Sequence, residues 1–443
     1  MAKTISATYT VAQTPSFPGD NPLTIEAGGG VFLTSARAAL ILASGDAWSV
    51  TNDGTISNDA GGGYFGQNWA VYLGGGTFYN QGIVVGYNTA INAQPGATVV
   101  NAGTIAAVAS TNREPISAPG AFVTNLAGGL ITGAAFGLAA VGVQDVDNAG
   151  TISGGRLDAI YAPDGLTLDN RGLITSPAAS LGGIYDKGGL LAITNEAGGT
   201  IAGQKFGVTI TGGSGTIVNA GTIDGATAVG IGAGLTVSVI AEPGAVFGGM
   251  VIGDAASTLE FAAGIGAGTF SGLGSKYVGF GQVTVASGAY WTAAGTNEVA
   301  GGNFVNDGTV LALNAGLTQA GGVFVNQGSI SAGANVGVTA LSGAVVTNAQ
   351  NGVISGGAFD GVQVHGGATL FNQGLISSGS FGGAYAYAGG VVLNMATGTL
   401  TGSQDGFSEG GGTLINAGTI AAASASGVAV FAGRLGYAGL VVV

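Results

Sequence analysis

The 443-residue chain has no cysteine and a single histidine, and only 7% of its residues are charged. The missing cysteines exclude a disulfide framework and thiol chemistry, and they suit an export route that avoids disulfides. The lone His365, in Val364-His365-Gly366-Gly367, excludes histidine-rich metal sites and reads as a turn-side structural residue. Nine basic residues (Lys3, Arg37, Arg113, Arg156, Arg171, Lys187, Lys205, Lys276 and Arg434) are scattered against 22 acids. They form no stripe, so the phosphate-neutralising patch of a nucleic-acid binder is missing. No apolar run has the length of a transmembrane helix. The opening Met1-Ala2-Lys3-Thr4-Ile5-Ser6 lacks the apolar core of a secretory signal peptide. No segment shows a 3.6-residue apolar pattern with caps; the best helix candidate, Ala36 to Ala43, is short and flanked by Thr, Ser and Gly.

What the chain does have is glycine, 90 residues of it, and 46% hydrophobic residues arranged with a strict period. That periodicity argues against the disorder usually suspected of glycine-rich chains. Fourteen asparagines anchor the pattern: Asn52, Asn80, Asn101, Asn125, Asn148, Asn170, Asn195, Asn219, Asn306, Asn326, Asn348, Asn372, Asn394 and Asn416. Successive gaps are 20 to 25 residues, except for 28 after Asn52 and 87 after Asn219. A fixed period in this range marks a repeat architecture. Ten copies read Asn-x-Gly-x-Ile/Val or a close variant, as in Asn101-Ala102-Gly103-Thr104-Ile105; those starting at Asn125, Asn195, Asn348 and Asn394 are longer by two residues. In both kinds the Gly stays two before the apolar residue, where a turn requiring positive φ is expected.

The residue two before each Asn is apolar in all fourteen copies, from Val50 and Phe78 to Val392 and Leu414. Strand side chains alternate faces, so these residues and the Asn point inward and the residue between them points outward. A buried amide needs partners, and amides stacked one rung apart can supply them to one another. These features predict an all-β chain, a right-handed parallel β-helix of about 20 rungs of about 22 residues stacked at ~4.8 Å. Four segments follow: an N-terminal lead-in, 1–49; repeats, 50–235; a variant stretch without the Asn, 236–302; and repeats again, 303–443.

The Asn-Ala-Gly-Thr-Ile repeats occur with a central unit, Leu259-Glu260-Phe261, Phe270-Ser271-Gly272-Leu273-Gly274 and Phe280-Gly281-Gln282-Val283-Thr284-Val285. In this combination the chain resembles the β-strand-repeat exoproteins of proteobacteria, including autotransporter passengers. The resemblance spans nearly the whole chain and implies an extracellular or cell-surface adhesive or scaffold protein. The chain departs from that group in showing no outer-membrane barrel and no recognisable export signal.

Few residues suggest chemistry. Asp147 and Asp169 each precede a rung Asn and should stack on adjacent rungs, facing out, which makes them a weak Ca²⁺ candidate beside Asp145, Asp158, Asp164, Arg156 and Arg171. A solvated acidic face is the plainer reading. No catalytic residue, no cofactor and no other metal ligand is expected. The outward position in the C-terminal half reads Val305, Val325, Thr347, Phe371, Leu393, Ile415, an apolar stripe suited to lateral packing or to a covering loop. The strand-like ends suggest head-to-tail self-association through Ile5, Tyr9, Val11, Tyr437, Leu440, Val441, Val442 and Val443. The sequence therefore points to a non-enzymatic structural solenoid, assembling end to end or acting as an adhesive matrix scaffold, with itself and a cell-surface or matrix polysaccharide as the expected partners. The alternatives are a polysaccharide-active β-helix lyase or hydrolase, and a monomeric adhesin passenger fragment.

Overall fold

The computed structural model describes residues 2–34, 38–59, 69–109, 114–142, 145–177, 181–313, 316–424, 427–430, 434–437 and 440–442. The chain is an all-β parallel solenoid of about 18 turns of about 22 residues, and no helix occurs among the described residues. It forms two compact units, Met1–Val237 with Val246–Val251, and Ser238–Ala245 with Ile252–Val443.

In the first unit a full turn carries three short strands, for example Leu190–Asn195, Thr200–Gly203 and Phe206–Ile210. Each strand pairs in parallel with its counterpart in the next turn, so this unit has three lengthwise sheets. The Asn-bearing strands make the first sheet, in which Asn80 pairs with Asn101, Asn101 with Asn125 and Asn148 with Asn170. The second sheet has eleven strands, from Thr8–Tyr9 to Val246–Phe247. The lead-in joins this architecture directly, since Lys3–Ile5 pairs with Leu23–Ile25 and Leu23–Ile25 with Trp48–Asn52. Leu40–Leu42, within the best helix candidate, is a strand.

The second unit repeats the plan, with nine strands in its second sheet, Gly268–Ser271 to Leu440–Val442, and seven in its third, Asn297–Ala300 to Val428–Val430. The period-2 reading is obeyed throughout the anchored turns. All fourteen residues two before an Asn are buried, and so are all fourteen asparagines. Of the residues between them, thirteen are half-buried and Ile415 is exposed.

The glycine of the repeat is there for a different reason than expected. None of the repeat glycines two before the apolar residue has positive φ. Instead the backbone passes so close to the preceding turn that a Cβ at Gly82, Gly103 or Gly172 would overlap the carbonyl oxygen of Gly54, Gly82 or Gly150. The corner stacks backbone on backbone, and only hydrogen fits between. Positive φ does appear in two of the longer copies, at Gly128 (84°) and Gly198 (88°), in the inserted residues.

The variant stretch within the second unit keeps the strand register but changes the corner. Phe261 pairs with Val285 and Val285 with Asn306, so Phe and Val stand where other turns have Asn. An aromatic cluster fills the space: Phe261 stacks on Phe270 at 4.3 Å and lies 5.0 Å from Trp291, whose Nε1 donates to the Ala262 carbonyl at 2.9 Å.

Candidate functional site

The asparagines form two unbroken amide ladders. In the first unit each Nδ2 donates to the next Oδ1 from Asn52 to Asn219, at 2.7 to 2.8 Å. In the second unit the ladder runs from Asn306 to Asn416 at 2.7 to 2.9 Å. A second contact of Nδ2 reaches a carbonyl of the following turn, as from Asn125 to Thr151 at 3.1 Å. The asparagine carbonyls are used too, since Ala102 and Gly103 both donate to Asn80. Every donor points the same way along the chain, which leaves Oδ1 of Asn52 and of Asn306 without a partner. Their preceding neighbours are Ile25 and Val285, which have no side-chain donor.

Asp147 and Asp169 do stack in register, but Arg171 lies between them, 2.6 Å from Asp147 Oδ1 and 3.0 Å from Asp169 Oδ2. The guanidinium pairs with both half-exposed carboxylates. No group of three or more His, Asp or Glu suited to a metal occurs among the described residues. Asp158 leaves this cluster altogether: it is buried, and its Oδ1 accepts from the Gly182 N–H at 2.8 Å. Asp360 does the same with Gly382 at 3.0 Å. Beside each pair a serine of the next turn donates backwards at 2.6 Å, Ser176 to the Leu157 carbonyl and Ser378 to that of Phe359. Burial raises the pKa of both acids. These twin latches were missed, although Ile152-Ser153-Gly154-Gly155-Arg156-Leu157-Asp158 and Ile354-Ser355-Gly356-Gly357-Ala358-Phe359-Asp360 repeat the same pattern.

Two other acids face inward in the third sheets. Asp186 pairs with Ala162 and Ile210, and Glu409 with Ala386 and Val430. Both are fully buried; neither Glu409 carboxylate oxygen is hydrogen-bonded, and the Asp186 carboxylate has only the Gly188 backbone N–H near it. Burial pushes Asp186 up to about 7. His365 stacks face to face on Tyr387 at 4.0 Å, and burial lowers its pKa, which keeps it neutral near pH 7.

The apolar stripe is present as a continuous column. Val305, Val325, Thr347, Phe371, Leu393 and Ile415 are paired one to the next in register. A second outward column beside it reads Asn303, Val323, Val345, Thr369, Val391, Thr413, so six consecutive turns present no charge on this face. Among the assembly candidates, Ile5 is corrected: it is 1% exposed and belongs to the core. Tyr9 and Val11 are exposed. Tyr437 pairs with Asn416, and Leu440, Val441 and Val442 pair with Thr419, Ile420 and Ala421. Val443 lies outside the described residues.

One concave feature accompanies the ladder break. A cleft of about 160 Å³ is lined by Leu273, Tyr277, Phe280, Val283, Val299 and Glu298, with backbone from Gly274 and Gly279.

No protein-family model, curated protein or solved structure matches this chain. The fold and its corners define the class: a parallel β-solenoid with stacked asparagine ladders.

Proposed function

We propose that this chain is a non-enzymatic structural solenoid, secreted or displayed at a cell surface, that serves as an adhesive or matrix scaffold and associates with further copies of itself. The observation that carries the reading is the uncharged stretch of the first sheet's outer face from Asn303 to Ile415, in the second unit. Apolar patches of this continuity on a flat sheet favour burial against a partner. The equivalent face in the first unit carries Asp145, Asp147, Asp169 and Arg171, which disfavour close packing of two such faces. Lateral contact is therefore assigned to the second unit. The surface or extracellular setting rests on the resemblance to β-strand-repeat exoproteins.

A polysaccharide-active enzyme would place paired carboxylates along an open groove. Here Asp147 and Asp169 share Arg171, and Asp158, Asp186, Asp360 and Glu409 are buried. That disposition supports the structural reading. Sedimentation of the full chain over a wide concentration range tests it, with negative-stain images to separate side-by-side pairing from end-to-end filaments. Association that is lost in the double variant Phe371→Lys, Leu393→Lys is expected. A chain that stays monomeric at high concentration overturns the proposal.

A further inference from the structure

The break in the asparagine ladder coincides with the cleft, and local rules of a fold tend to fail where a site is built. We infer that the cleft binds a small amine whose apolar body enters the pocket and whose ammonium group meets Glu298. Its volume, about 160 Å³, is on the order of the ~150 Å³ that accepts a benzene-sized molecule in an apolar cavity. The walls are apolar and aromatic: Leu273, Tyr277, Phe280 and Val299 line the cleft and are buried. Glu298 is exposed, and it brings the one acidic side chain among the lining residues. A cation held over aromatic rings and beside a carboxylate gains from both. Lys276, whose ammonium is 5.7 Å from the Tyr277 ring centroid, is not part of the lining.

The cleft is braced rather than loose. Its loop turns on three glycines of positive φ, Gly272 (81°), Gly274 (82°) and Gly279 (83°). The buried Asn297 fastens it from below, accepting from the Leu273 N–H at 3.2 Å and donating to the Ala294 carbonyl at 3.1 Å. On the far side, Gly253 leaves room for the Phe280 ring, which any side chain there would strike. Such a preformed site loses little freedom on binding.

The test is a titration of the full chain, methyl-labelled, with benzylammonium, toluene and benzoate. Benzylammonium is expected to shift the methyls of Leu273, Val283 and Val299, and to bind more tightly than either of the others. Glu298→Gln should weaken it roughly threefold, as for a half-solvated ion pair. Ala300→Trp, at an exposed rim position, should abolish binding while the melting curve stays in place. Absence of methyl shifts, benzoate or toluene binding as tightly as benzylammonium, or binding that survives Ala300→Trp each overturns the inference.

Discussion

At the level of single residues, the asparagine is chosen because an amide is both donor and acceptor. Each Asn inside a ladder accepts from the turn before and donates to the turn after, so a carboxylate cannot replace it. In Asn148→Asp the new oxygen would face Asn170 Oδ1, which now accepts at 2.8 Å, and the Leu173 carbonyl. The expected cost is about 3 kcal/mol at pH 7. Acid should restore part of it, because a protonated carboxyl again has a hydrogen to donate. Thermal unfolding at pH 7 and pH 4 checks both statements. The glycines make a sharper pair. Gly103 has negative φ and a carbonyl where its Cβ would go, whereas Gly96 has φ of 78° and open space. Gly96→Ala should cost about 1 kcal/mol from left-handed strain alone, and Gly103→Ala should cost clearly more. If chemical denaturation ranks the two the other way, the corner does not depend on close backbone stacking.

At the level of strands and turns, Asp186 is the residue that breaks the pattern. Its raised folded-state pKa, about 7 against 3.8 in the open chain, means that the folded protein binds the proton more tightly. Stability is then greatest at low pH and falls as pH rises from about 4 to about 7. Asp186→Asn should accordingly be more stable than the parent at pH 8, by about 4 kcal/mol, and nearly equal to it at pH 4. Melting temperatures across that range would refute this if the difference did not grow with pH. Much of this level was legible beforehand. Alternation placed Val50, Phe78 and every ladder Asn inward, and it would have placed Asp186 inward as well, one step beyond Ile184 in the same strand. A charged side chain ordinarily faces solvent, but alternation is the stronger rule inside a solenoid. The Asp158 and Asp360 latches were harder to read, because their partners are backbone amides 24 and 22 residues away that carry no side-chain signal. The cleft was not legible at all: it arises from how the turn from Gly272 to Gly279 sits over Asn297, and periodicity says nothing about loops of that kind.

At the level of the whole molecule, a solenoid has no single centre. Each turn touches its neighbours, and stability is a sum of turn and interface contributions. The hydrogen-bonded ladders run from Asn52 to Asn219 and from Asn306 to Asn416. Between Phe261 and Val285 the corner has no amide to pass the pattern on. Cooperation along the chain is thus strongest within each ladder, and unfolding need not be all-or-none over 443 residues. Two substitutions of the same kind, Asn148→Asp in the first ladder and Asn348→Asp in the second, should therefore act separately. Hydrogen exchange read by mass spectrometry should show protection lost mainly in the turns around residues 125–195 for the first and 326–394 for the second. Calorimetry should show each substitution moving a different part of the transition. Loss of protection across both ladders from either substitution alone would mean that the aromatic cluster of Phe261, Phe270 and Trp291 carries cooperativity as well as the amides do, and the division into two ladders would then have no energetic meaning.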